Sequence, residues 1–77
     1  MPKPRSYFYL IDGLGPEKGE MIKRALGMVP DVRAVIVSVP HGVVEVRSLQ
    51  NPITQVKMAC EIAAITFRTQ IKRRHLA

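Results

Sequence analysis

The chain has 77 residues, 47% of them hydrophobic and 23% charged, which excludes a disordered segment and leaves one small domain near the lower limit for a self-sufficient core. A net charge of +6 and a pI near 10.1 favour an anionic partner over a cationic one. Cys60 is the single cysteine, which excludes an internal disulfide and a cysteine-built metal cage, and points to a reducing, cytoplasmic setting.

The opening "MPKPRSYFYLID" carries two prolines and a short apolar stretch, which does not have the form of a signal peptide. No apolar run approaches the roughly 20 residues needed to span a membrane, so no membrane insertion is expected. Residues 6–11, "SYFYLI", are aromatic and β-branched and run into Asp12-Gly13, a strand followed by a turn. Gly15-Pro16 then opens a helix, because proline suits the first helical position, where its missing N–H would be unpaired anyway. Glu17 and Glu20 complement the helix dipole, and Ile22, Ala25, Leu26 and Val29 form one apolar stripe that Pro30 ends.

"VRAVIVSV" at 32–39, "PHG" at 40–42 and "VVEVRS" at 43–48 read as strand, tight turn and strand. Asn51-Pro52 is read as an N-cap with a first-turn proline, followed by a second helix with Ile53, Val56, Ala59, Cys60 and Ala63 on one side. "ITFRTQIKRR" alternates as a half-buried strand should, although Ala63, Phe67 and Ile71 also continue the helical stripe. The β-forming composition favours the strand. The resulting order β-α-β-β-α-β is an α+β, ferredoxin-like sandwich: a four-stranded antiparallel sheet with two helices on one face, its core spanning about residues 6–71 and a basic tail at 72–77.

From about residue 6 to 71 this pattern resembles the heavy-metal-associated domain of copper chaperones and metal-transporting ATPases. The family's first strand ends in Gly-Met-x-Cys-x-x-Cys, and "IDGLG" stands here in place of that loop. "RALGMVPDVRAVIVSVPHGVVEV" looks like the family's helix end and hairpin, with Asp31 for the usual glycine. "ACEIAAITFRTQI" resembles its passage into the last strand, with Ala64-Ile65 where the family tends to have Gly-Tyr. The resemblance places the two metal thiolates at Pro16 and Gly19, which offer no donor, so the family's soft-metal chemistry does not carry over.

Other metal donors are weak candidates: Asp12 and Glu17 near the loop, His41 in the hairpin turn and Cys60 on the second helix. The hairpin turn is expected at the far end of the sheet from the first loop, which would keep His41 from those carboxylates. Met21 and Met28, seven residues apart on one helix, are about 10 Å apart and too distant to share an ion. No resident cofactor is expected. "GLGPEKG" offers Lys18 and a helix start to an anion, but Pro16 removes a donor and Glu17 and Glu20 repel negative charge. Two histidines and one cysteine, spread along the chain, form no nucleophile–base pair, so an enzyme is not expected.

The open sheet face is more informative. If Tyr9, Ile11, Val35, Val37, Val39, Val44 and Val46 face the helices, then Phe8, Leu10, Ala34, Ile36, Val43 and Glu45 face away, with Arg47 and Arg68 near the edge. A solvated face should be mostly polar, and this one is apolar, which implies a protein partner or a homo-oligomer through Phe8, Leu10, Ile36 and Val43. RNA-recognition modules use the same face for stacking, but "VVEVRS" lacks the aromatics and centres on Glu45. Nucleic acid is therefore the second choice, with Arg68, Lys72, Arg73 and Arg74 as its contacts.

Overall fold

The computed structural model describes residues 3–72. Along them run β1 (Arg5–Asp12), α1 (Pro16–Gly27), β2 (Val32–Ser38), a 3-10 turn (Val39–His41), β3 (Val43–Ser48), α2 (Ile53–Ile62) and β4 (Thr66–Ile71). The four strands make one antiparallel sheet in the order β2-β3-β1-β4, the ferredoxin-like arrangement expected from the sequence. Alternation decides which side chains meet the helices. Tyr9 and Ile11 of β1, Val44 and Val46 of β3, Ile22 and Leu26 of α1, and Val56, Ala59, Cys60 and Ala63 around α2 form one buried cluster.

The passage at 63–66 settles the ambiguous last element. The Ala64 N–H donates to the Glu61 carbonyl at 3.1 Å and the Ile65 N–H to the Cys60 carbonyl at 2.9 Å. This pair of bonds is the two-bond cap that ends a helix, and it puts Ala64 in the left-handed region at φ 59°. The chain then leaves as β4, paired with β1 from Phe8↔Ile71 to Asp12↔Thr66 with a bulge between Leu10 and Ile11.

Two expectations are corrected. Asn51 does not cap α2: the helix begins at Ile53 with Pro52 as its N-cap and no side-chain cap bond. The Asn51 amide is used elsewhere, accepting from the Tyr9 hydroxyl at 2.6 Å and donating to Gln70 Oε1 at 3.0 Å. The β2–β3 turn also lies at the same end of the sheet as the β1–α1 loop, since the Ile11 N–H donates to the Gly42 carbonyl at 2.8 Å. The reason is topological. Both β1 and β2 run antiparallel to β3, so they run parallel to each other and finish at the same end.

Candidate functional site

The β1–α1 loop is built as its residues dictate. Gly15 precedes the helix in an extended conformation and Pro16 occupies the first turn without a side-chain cap. Gly19 faces β2: a Cβ placed there would lie 3.0 Å from Val37 Cγ1. Helix and strand approach closely because this position has no side chain, so the second of the two loop positions is packed shut as well as lacking a donor. The residues present do not fit the ion that two thiolates at this spacing would hold.

The scattered metal candidates stay scattered. Asp12 is exposed and pairs with Arg68, Nη1 to Oδ2 at 3.1 Å. Glu17 is an exposed first-turn residue of α1. His41, although at this end of the sheet, has its Nδ1 engaged with the Ser38 hydroxyl at 2.8 Å. Cys60 is buried in the core, and that burial pushes its thiol pKa up, away from the thiolate a soft metal needs. Among the described residues no group of three or more His, Cys, Asp or Glu side chains gathers to hold a metal ion.

The sheet face opposite the helices is ordered in cross-strand rows. One row reads Ile36, Glu45, Phe8, Ile71 across β2, β3, β1 and β4; the next reads Ser38, Val43, Leu10, Thr69. Phe8, Leu10, Ile36 and Val43 all lie outside the buried cluster that the helices cover, as alternation requires. They are not equally available. Ile36 is 46% exposed, Phe8 and Leu10 are half-buried, and Val43 is only 4% exposed. Val43 sits between its cross-strand neighbours Leu10 and Ser38, so it supports the face without contributing surface. Glu45, within the apolar row, accepts from the Ser6 hydroxyl at 3.2 Å. Arg47, expected near the edge, stands on the central strand β3 opposite Ser6 and Ala34.

The nucleic-acid candidates fare differently. Arg68 is tied to Asp12, Lys72 is exposed, and Arg73 and Arg74 lie outside the described residues. Sequence reasoning missed a second apolar surface on the helical layer. Ala25 and Val29 from the α1 side and Gln55, Met58, Ala59 and Ile62 from α2 line a shallow groove, with Ile62 69% exposed. The available signal was that Met58 and Ile62 fall off the buried stripe of α2 and are apolar nonetheless. Among the described residues no helix is long and apolar enough to cross a membrane.

No protein-family model matches the chain, and no curated protein matches it closely enough to count as a relative.

Proposed function

We propose that this chain is a small non-enzymatic module of the heavy-metal-associated type that lacks the thiolate site and works by docking. The docking surface is the open sheet face, and the partner is another protein or another copy of the chain in the cytoplasm. A place in a metal-handling pathway is suggested by the resemblance alone. The observation that carries the docking reading is the half-exposed Ile36 on β2, with Phe8 and Leu10 two strands away on β1, on a face that neither helix covers.

Heavy-metal binding or transport through some other donor set is the reading to test it against. A bound ion at about a hundred times its Kd adds roughly 2.7 kcal/mol to the folded state, a rise on the order of ten degrees in a domain of this size. Thermal melts with Cu(I) or Zn(II) in excess are expected to match the metal-free melt. A rise of that size with either ion would replace docking with metal binding.

A further inference from the structure

We infer that two copies of this chain join through their β2 strands, forming one continuous sheet with a two-fold axis at Ile36. This names a partner for the docking module proposed above, and rests on that reading without depending on which face residues capture other proteins.

The sheet has two free edges, β2 and β4, and they are unequally protected: on β2 the charge of Arg33 and the register shift are confined to its start. β4 carries Thr66, Arg68, Thr69 and Gln70 and a bulge against its neighbour. Polar, charged and bulged edges of this kind resist pairing with other strands. β2 runs "AVIVS" from Ala34 to Ser38 with no charge, no proline and a regular ladder to β3; its one irregularity lies before Ala34.

The backbone direction of that edge follows from one bond. The Ile11 N–H to Gly42 carbonyl bond makes Leu10↔Val43 a non-hydrogen-bonded pair. Val43, Glu45 and Arg47 therefore turn their backbone groups to β2, where Ser38, Ile36 and Ala34 answer them. The N–H and C=O groups of Val35 and Val37 are left facing outward.

The regular segment 34–38 is centred on Ile36. Antiparallel pairing of two copies about that centre sets Val35 opposite Val37, so all the outward groups find partners. It also sets Ile36 opposite Ile36 as a non-hydrogen-bonded pair, the closer kind, with Cα atoms about 4.5 Å apart. The exposed isoleucine of the sheet is thereby covered by itself. The same register brings Arg33 of the second copy to Val39, which lines a groove with both Glu20 and Lys23, so this contact adds no net charge complementarity. Charge opposes the approach overall, because each copy carries +6. Salt should therefore tighten this dimer, whereas it weakens nucleic-acid binding.

Sedimentation velocity of the full chain, from about 10 to about 500 µM as suits a small interface, is expected to show a dimer that grows with concentration and with added salt. Val35→Pro removes an outward N–H while leaving the ladder to β3, and is expected to weaken association roughly tenfold or more. Because proline within a strand destabilises the fold, Ile36→Cys provides an independent reading. Under mild oxidation it should form a disulfide-linked dimer well ahead of Met58→Cys, an exposed position on the helical layer. A monomer at every concentration, equal cross-linking of the two cysteine variants, or a folded Val35→Pro that dimerises like the parent would each overturn the proposal. Leu10→Lys separates the two readings: it lies away from the seam and should leave the dimer intact, so its effect on other partners bears on the docking face alone.

Discussion

Replacing Tyr9 with alanine is expected to leave the chain largely unfolded at 37 °C. Tyr9 is fully buried on the central strand β1, its ring 6.0 Å from that of Phe67 and its hydroxyl bonded to Asn51. Truncating a buried aromatic costs about 3–5 kcal/mol, while a domain of this length holds only about 4–12 kcal/mol in total. The substitution also strips Asn51 of the donor that fastens the entry of α2 to the sheet. Tyr9→Phe keeps the ring and loses only the hydrogen bond, so about 1 kcal/mol is expected. Urea unfolding of the two variants measures both. Equal effects of alanine and phenylalanine would show that the hydroxyl, and not the ring, carries the contribution.

The pH dependence of that comparison has a definite sign. Burial, with the nearby Tyr7 as a lesser cause, raises the Tyr9 phenol pKa well above its ordinary 10.0. The folded state holds a proton that the unfolded state releases, so this contribution is complete below pH 10 and declines as pH rises beyond it. Cys60, raised by burial above its ordinary 9.0, declines in the same direction from a lower pH. Tyr9→Phe should therefore flatten the alkaline limb above pH 10 and leave the Cys60 limb in place.

Gly42→Ala is expected to cost about 2–3 kcal/mol, combining left-handed strain with a backbone overlap. Gly42 closes the β2–β3 turn at φ 63°, with its N–H on the Val39 carbonyl at 3.2 Å. An added Cβ would stand 3.0 Å from the Ile11 carbonyl oxygen, which belongs to the central strand and cannot yield as a side-chain tip could. Gly27→Ala, where a Cβ meets nothing within 4 Å, is the matched control and should be neutral or mildly stabilising. A Gly42→Ala midpoint equal to that of Gly27→Ala would mean that the turn tolerates another conformation.

The element order was legible because each segment carries its own period: alternation in the strands and the Ile22/Leu26 and Val56/Ala59/Cys60/Ala63 stripes in the helices. Alternation also placed Phe8, Leu10 and Ile36 on the open face. What it could not supply was depth, since Val43 has the right parity and yet is buried by its neighbours across two strands. The end of α2 was ambiguous because Ala64, rather than a glycine, takes the left-handed position that stops the helix. Asn51 looked like a cap from its neighbours in sequence, but a buried hydroxyl 42 residues away took its side chain. The hairpin turn was misplaced because its end of the sheet depends on how β1 and β2 are both related to β3, a relation no local pattern contains. The closure of Gly19 against Val37 was hidden for the same reason.

The central claim is that the sheet face, and not the helical layer, is the working surface. It is tested most directly by capture from nuclease-treated extract of the native cells on immobilised full-length chain, comparing the parent, Leu10→Lys and Met58→Lys. Phe8→Lys serves as a second face variant, and circular dichroism verifies the fold of each. The proteins held by the parent and by Met58→Lys should fall roughly tenfold or more on the sheet-face variants, the loss that burying a charge in an apolar contact produces. Folded Leu10→Lys and Phe8→Lys chains that hold the same proteins in the same amounts as the parent would contradict the claim.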